Sequence, residues 1–298
     1  MASGAHQDEP GAKRPRTDCG QPAPVEPPLG LADKVQAWAA EARAKVEVEK
    51  NWLHTVEVFA GVGSIASAFL ALGMLAATYD KLHDEVLHDI STDEGLRHLV
   101  SLIVRVGEHG LVWFAPPCST WVWIARSHSR RSNSNPLGDE DRADVRLSNE
   151  IAVRVSVLLQ LCRSLRIWYV VEQPVSSLLL EHPDMRRAVA CTGASSVSVE
   201  LGRVGASSTK PLRLTGTAAW LNGVATQIKR RGRLQQPMAL VERKGKWLNG
   251  VGKLLKDSAA YPEEFGLIVA QAHERYRMNE RPILSTARSS TDAVEISD

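Results

Sequence analysis

Short apolar segments alternate with helical segments along residues 54–175, and this alternation constrains the fold more than any other feature of the chain. The predicted strands are TVEVFAG (55–61), MLAATYD (74–80), LVWFAPP (111–117) and IWYVVEQP (167–174). The predicted helices between them are SIASAFLALG (64–73), DEGLRHLVSLIVRVG (93–107) and residues 143–165. Strands that are apolar on both faces and alternate with helices are typical of a parallel sheet covered on both sides. The sequence therefore predicts a doubly wound, mostly parallel α/β fold, with SVSVEL (196–201) and PLRLTG (211–216) as a terminal antiparallel hairpin.

The two ends of the chain differ in composition from this central part. Residues 1–30 are rich in Pro, Gly, Ala and charge and are predicted to be disordered, as is the polar tail 282–298. Residues 31–50 contain no helix breaker and predict a helix leading into a main domain at 51–281. Lys13-Arg14-Pro15-Arg16 resembles a nuclear-targeting cluster, and a solvated basic tail is the alternative.

Charge and cysteine content exclude several classes of protein. The net charge is +2, so a basic surface for nucleic acid must be local. The four cysteines share no CxxC or Cys/His spacing, and we expect neither a metal site nor a disulfide framework. No secretory leader opens the chain and no apolar run has the length of a membrane span, which predicts a soluble intracellular protein.

A chemically useful residue stands at or near the end of each predicted parallel strand. Gly61 and Gly63 permit a tight turn and a close approach of backbone to a ligand. Asp80 ends the second strand, where dinucleotide-binding folds place an acid on ribose hydroxyls. Cys118 follows a double proline, and Glu172 lies near the end of the fourth strand. Because ligands of such sheets bind outside the carboxyl ends of the strands, these residues are expected to share one site.

Each of these residues also has a structural alternative. An unpaired cysteine such as Cys118 is often a buried structural thiol, and Glu172 could bind backbone groups at a strand end. Asp80 and Asp89 could be solvated loop acids. Trp121 and Trp123, beside the cysteine, could stack on a base or pack the loop.

The order and spacing of these motifs resemble those of the cytosine carbon-5 DNA methyltransferases. The similar elements are FAGVG (59–63), YD (79–80), HDI (88–90), APPCS (115–119), Asp144-Val145-Arg146-Leu147 and VEQP (171–174). The resemblance covers roughly residues 54–175, and residues 190–275 only loosely. It implies a sheet of the class I methyltransferase type and an enzyme that transfers a methyl group from S-adenosylmethionine to carbon 5 of cytosine, in DNA or in RNA.

The resemblance also implies roles for individual residues. Cys118 matches the nucleophile that adds to carbon 6 of the ring, and Glu172 matches the acid at N3. The thiol is expected to have a pKa lowered by a nearby helix N-terminus, and the target base is expected to leave the duplex. Asp80 would bind the ribose and Asp89 the adenine amine. The full set implied for cofactor binding is Phe59, Gly61, Gly63, Asp80, Asp89 and Pro116.

The chain departs from the family in three places. Gln173 stands where the family has asparagine. Lys210 and Arg213 stand where it has a glutamine–arginine strand entry that supports the flipped base. The segment that could hold a target-recognition region is short, and the basic residues proposed to contact phosphates are Arg126, Arg130, Arg131 and a cluster at 229–246, for which a solvated surface is the alternative. Within that cluster, residues 227–231 are predicted to form a basic surface loop.

These departures leave three functions open. The first is a cytosine-5 methyltransferase. The second is a protein that keeps the fold and the cofactor pocket but serves as a binding or regulatory module. The third is a methyltransferase that acts on a group other than a pyrimidine, with Cys118 incidental.

Overall fold

The computed structural model describes residues 30–206, 209–232, 240–243, 246–249 and 260–279. The predicted disordered tails, apart from Gly30, lie outside the described residues, as do the Lys13–Arg16 cluster, Arg233 and Lys244. In the part of the chain that is described, no helix is both long enough and apolar enough to cross a membrane.

The described elements follow the predicted alternation of strands and helices. The strands are β1 (Leu53–Val58), β2 (Ala76–Tyr79), β3 (Val106–Phe114), β4 (Trp168–Pro174), β5 (Ser195–Glu200), β6 (Pro211–Gly216), β7 (Leu240–Arg243) and β8 (Lys246–Asn249). The helices are α1 (Leu31–Glu49), α2 (Ser64–Ala71), α3 (Asp93–Ile103), α4 (Arg126–Ser129), α5 (Ala143–Ser164), α6 (Pro183–Thr192), α7 (Leu221–Arg230) and α8 (Glu263–Asn279).

One six-stranded mixed sheet organises the molecule, with the strand order β2-β1-β3-β4-β6-β5. Strands β1 to β4 are parallel, and β6 is antiparallel to both β4 and β5. The predicted α/β fold, the mostly parallel sheet and the closing hairpin are therefore confirmed. Strands β7 and β8 pair separately as an antiparallel ribbon.

The sheet has an apolar core on each face, which explains why its strands are apolar throughout. In β3, Val112 and Phe114 pack into one core and Leu111 and Trp113 into the other, the alternation that a strand imposes on its side chains. Helices α1, α3 and α5 pack against one another, and α8 packs against α2 and α7.

The register of the parallel strands places their carboxyl ends at one edge of the sheet. Val58 pairs with Tyr79 on one side and with Phe114 on the other, and Phe114 pairs with Val171. The antiparallel strand β6 begins at this same edge, because Leu212 pairs with Pro174. The segment that enters β6 is thereby brought to the residues that leave β1, β2, β3 and β4.

Two sequence predictions about local structure are wrong. The helix expected over 93–107 ends at Ile103, and Val106 already belongs to β3. The basic segment 227–231 is not a loop: it forms the last turn of α7, whose apolar positions Val224 and Ile228 are buried. The helical spacing of the apolar residues begins before residue 227, so the basic residues of this segment, taken alone, did not indicate a helix.

Candidate active site

The turn that follows β1 has a backbone conformation that glycine adopts easily. Gly61 and Gly63 have φ angles of 54° and 71°, and a Cβ atom on Gly63 would lie 3.2 Å from Cγ2 of Thr78. Phe59 has a φ of 59°, a strained conformation for an aromatic residue. Helix α2 begins directly after the turn, at Ser64, so the N–H groups of its first turn lie beside it.

Asp80 holds the glycine turn against the end of β2. Its Oδ2 atom accepts a hydrogen bond of 2.8 Å from the N–H of Gly61, and its Oδ1 atom accepts one of 2.8 Å from Leu82. His83 Nε2 lies 2.9 Å from the carbonyl oxygen of Gly61. A carboxylate oxygen has two lone pairs, so Asp80 can accept further hydrogen bonds from hydroxyl groups of a ligand.

Asp89 is engaged within its own loop. Its Oδ2 atom lies 2.6 Å from Nζ of Lys81, and its Oδ1 atom accepts hydrogen bonds from the N–H and the hydroxyl of Ser91. The role of Asp89 toward an adenine amine stays a prediction.

A buried acid that the sequence analysis missed stands behind the glycine turn. Glu57 in β1 is buried, and its Oε2 atom accepts a hydrogen bond of 2.8 Å from the N–H of Ala66 in α2. Burial raises the pKa of Glu57 to about 7, and the hydrogen bonds from α2 only partly oppose it. The signal in the sequence was a lone acid inside an otherwise apolar strand.

We expect Glu57→Gln to weaken the pH dependence of stability. Because the folded protein binds this proton more tightly than the unfolded chain does, the contribution of Glu57 is complete below pH 4.5 and is lost as the pH rises through about 7. Glutamine keeps an acceptor for Ala66 and does not titrate. The free energy of unfolding, measured with urea, should be lower at about pH 8 than at about pH 5 in the native protein. In the variant this difference should be smaller by up to about 3 kcal/mol. Equal falls in both proteins would contradict this role.

The loop that carries Cys118 is held against β4 by Gln173, the residue that stands where the family has asparagine. Nε2 of Gln173 donates a hydrogen bond of 2.7 Å to the carbonyl oxygen of Pro116, and the hydroxyl of Ser177 donates one of 2.7 Å to Gln173 Oε1. After Cys118 the chain turns, and the N–H of Trp121 donates to the Cys118 carbonyl at 2.9 Å. Gln173 therefore fixes the distance between the cysteine loop and the strand that carries Glu172.

Glu172 is 7% exposed and accepts a hydrogen bond of 2.9 Å on Oε2 from the hydroxyl of Tyr261. Tyr261 precedes α8, and its oxygen in turn lies 3.4 Å from Nε1 of Trp113. Burial raises the pKa of Glu172 above its usual value, although Tyr261 and Lys210 both act to lower it. Glu172 therefore keeps its proton to a higher pH than an exposed glutamate does.

Lys210, at the entry to β6, lies within electrostatic range of both Glu172 and Cys118. Its Nζ atom is 5.3 Å from the centre of the Tyr261 ring. Burial lowers the pKa of Lys210, and the two acidic neighbours oppose that effect. Lys210, which stands in place of the family's glutamine–arginine strand entry, thus lies beside Tyr261, the residue that donates a hydrogen bond to Glu172.

The Cys118 thiol does not have the lowered pKa that the sequence analysis expected. Burial raises the pKa of Cys118, and the charge of Glu172 raises it further, while Lys210 acts in the opposite direction. Along the chain, Cys118 is followed by a turn and a short 3₁₀ segment, Trp123–Ala125. The residue as a whole is half-buried.

The arginines predicted to contact phosphates differ in their surroundings. Arg131 is only 2% exposed, and its guanidinium is engaged inside the protein, so the prediction that it holds phosphates is wrong. Arg213, which stands at the family's glutamine–arginine strand entry, is half-buried and lies 3.4 Å from the Val175 carbonyl. Arg126 stacks on the Trp123 ring at 4.9 Å, and Arg130 is exposed beside Asp139. Arg126 and Arg130 remain candidates for a phosphate-binding surface.

The two tryptophans after the cysteine have separate roles. Trp121 is buried and packs against the Arg131 guanidinium, which lies 3.3 Å from its ring centre. Trp123 is 68% exposed and its neighbour Ile124 is 73% exposed. Trp121 therefore packs the loop, and Trp123 is the one available to a ligand.

Comparison with protein-family models and with curated proteins gives no match for this chain. The assignment of a function therefore depends on the site itself. There Tyr261 contacts both Glu172 and Lys210, and Gln173 ties the loop that carries Cys118 to the strand of Glu172. The turn at Gly61 and the carboxylate of Asp80 lie at the same edge of the sheet.

Proposed function

We propose that the protein is an S-adenosylmethionine-dependent methyltransferase of the cytosine-5 type, acting on DNA, with RNA as the alternative substrate. One observation carries the proposal: the hydrogen bond of 2.7 Å from Gln173 to the Pro116 carbonyl holds the loop of the half-buried Cys118 against the strand of the buried Glu172, at the edge of the sheet where the glycine turn follows β1. The proposed reaction needs a thiol, an acid and a turn that can bind the cofactor, all within one site.

The sheet supports the proposal at the level of the fold. A parallel sheet whose penultimate position is taken by one antiparallel strand, β6, is the arrangement expected of a class I methyltransferase. In such sheets ligands bind outside the carboxyl ends of the strands.

The residues at the glycine turn fit the proposed cofactor. Backbone at Gly61 and Gly63 has no side chain to obstruct a ligand, and a Cβ built on Gly61 would meet no atom within 4 Å. Asp80 has lone pairs left for ribose hydroxyls. When bound, S-adenosylmethionine supplies an electrophilic methyl group on a sulfonium. Phe59 in this turn and Pro116 in the loop before Cys118 are further residues that we propose for cofactor binding.

The first chemical step depends on the charge state of Glu172. In the proposed step the Cys118 thiolate forms a bond to carbon 6 of cytosine, the electron pair moves to N3, and Glu172 delivers its proton there. A charged Glu172 opposes ionisation of the thiol, and a neutral Glu172 does not. The raised pKa of Glu172 thus favours both the proton donor and the nucleophile.

Lys210 compensates for the raised pKa of the thiol. Its charge acts to lower the pKa of Cys118 as well as that of Glu172. An ammonium group near a forming thiolate stabilises its negative charge. Lysine can do this as a point charge, without the paired N–H donors of arginine. In the proposed enzyme carbon 5 of the resulting enamine then attacks the methyl group, whose bond to the sulfonium breaks to leave a thioether. Water takes the proton of carbon 5, the bond from sulfur to carbon 6 breaks to restore the thiolate, and N3 returns its proton to Glu172.

A second candidate is a protein that binds the cofactor or nucleic acid without catalysis. The raised pKa of Cys118 is the observation that favours it, because a protonated thiol is a weak nucleophile.

Product analysis separates the two candidates. The protein is incubated with methyl-labelled S-adenosylmethionine and either duplex DNA or RNA, and the nucleosides are identified by mass spectrometry after digestion. We expect labelled 5-methylcytosine from one of the two substrates. Cofactor binding without any methylated nucleoside would support the binding protein, and a label at any other base or atom would overturn the cytosine-5 assignment.

A further inference from the structure

The hydroxyl group of Tyr261 lies between a donor and an acceptor. Its O–H donates to Oε2 of Glu172 at 2.9 Å, and Nε1–H of Trp113 donates to the Tyr261 oxygen at 3.4 Å. The indole N–H can only donate, so Trp113 leaves the Tyr261 hydrogen to point toward Glu172. Burial and the neighbouring Glu172 raise the pKa of Tyr261 well above its ordinary value, so the hydroxyl keeps its proton.

The direction of the hydrogen bond from Tyr261 determines which oxygen of Glu172 carries the acid proton. A neutral carboxyl group has one carbonyl oxygen, which accepts hydrogen bonds well, and one hydroxyl oxygen, which donates. Since Oε2 accepts from Tyr261, the acid proton lies on Oε1 when the group is neutral.

We propose that Tyr261 is a positioning residue that, oriented by Trp113, keeps the proton of Glu172 on Oε1, ready for transfer to N3 of a bound cytosine. The inference rests on the proposed function for the identity of the acceptor. It adds a residue from outside the motifs that the sequence analysis used, because Tyr261 lies far along the chain, before α8.

Tyr261 is held by contacts on three sides. Its carbonyl oxygen accepts a hydrogen bond of 3.2 Å from the hydroxyl of Ser64, the residue that begins α2 behind the glycine turn. Its ring packs edge-on against Trp113 at 6.1 Å between centroids and against Phe265 at 5.3 Å. The hydroxyl therefore has a fixed position between the Trp113 indole and the Glu172 carboxyl group.

Tyr261→Phe tests this role, since it keeps the ring contacts and removes only the hydroxyl. The readout is the rate at which iodoacetamide alkylates Cys118, followed by mass spectrometry of the Cys118 peptide across a range of pH. Because the charge of Glu172 opposes thiolate formation, the profile should bend where Glu172 titrates. Loss of the Tyr261 hydrogen bond, which favours the charged form, should move that bend upward by about one pH unit.

Glu172→Gln supplies the matched background, because its amide oxygen still accepts from Tyr261 while nothing titrates. In that background Tyr261→Phe should leave the alkylation profile unchanged. An unmoved bend in the single variant, no bend in the native protein, or an equal shift in the glutamine background would each overturn the inference. The measurement uses neither nucleic acid nor cofactor, so it can fail while methyl transfer stands, and it can succeed when no methylated product forms.

Discussion

Replacing Cys118 with alanine is expected to lower the rate of methyl transfer by about 10⁴-fold or more, because the ring then has no nucleophile to activate carbon 5. Since the glycine turn and Asp80 do not contact the thiol through any described hydrogen bond, affinity for S-adenosylmethionine should stay within about twofold of the native value. Initial rates of label transfer and equilibrium binding of the cofactor measure the two effects separately.

The matched control is Cys191→Ala, which removes an exposed thiol from α6. This variant should transfer methyl groups at the native rate. If Cys118→Ala kept more than about a tenth of the native rate, a covalent route through that sulfur would be wrong.

Arg131→Ala is expected to lower the free energy of unfolding by about 3 kcal/mol or more. The guanidinium donates hydrogen bonds to Asn149 Oδ1 at 2.8 Å and to the carbonyl oxygens of Pro136, Leu137 and Val145. The substitution strands these acceptors in a buried place and removes the group that packs on Trp121. Urea unfolding followed by fluorescence measures the loss.

Arg130→Ala is the control for charge and position. Its side chain is 75% exposed and its only described ion pair, with Asp139, spans 3.5 Å, so the expected change is within about 0.5 kcal/mol. A comparable loss in both variants would show that Arg131 does not organise the loop after Cys118.

The fold could be predicted because its signal is local and repeated. Each strand of the sheet's parallel part is a short apolar run that ends in or is followed by a glycine turn, an acid or a thiol, and this pattern predicts both a mostly parallel sheet and the edge that carries the site. The hairpin of β5 and β6 was also predicted from short local segments of the sequence. Helix α7 was not, because its buried positions Val224 and Ile228 are few and the basic residues Lys229 and Arg230 follow them directly.

The parts of the site that depend on distant segments could not be predicted. Tyr261 meets Glu172 across 89 positions of sequence, and no local pattern around the tyrosine indicates that contact. Arg131 illustrates the opposite error, since an arginine in a polar loop is usually exposed and here packs inside that loop. The pKa of Cys118 also depends on burial and on Glu172, which sequence order alone does not measure.

Covalent trapping is the most direct test of whether the Cys118 thiol and the Glu172 carboxyl act together on a cytosine ring. With S-adenosylmethionine and nucleic acid that contains 5-fluorocytosine, the fluorine blocks loss of the group at carbon 5, so the bond between sulfur and carbon 6 persists. The expected result is a denaturation-resistant complex whose Cys118 peptide carries a methylated fluorocytosine. Absence of any complex under conditions where the cofactor binds, or a complex that survives Cys118→Ala, would contradict the proposed mechanism.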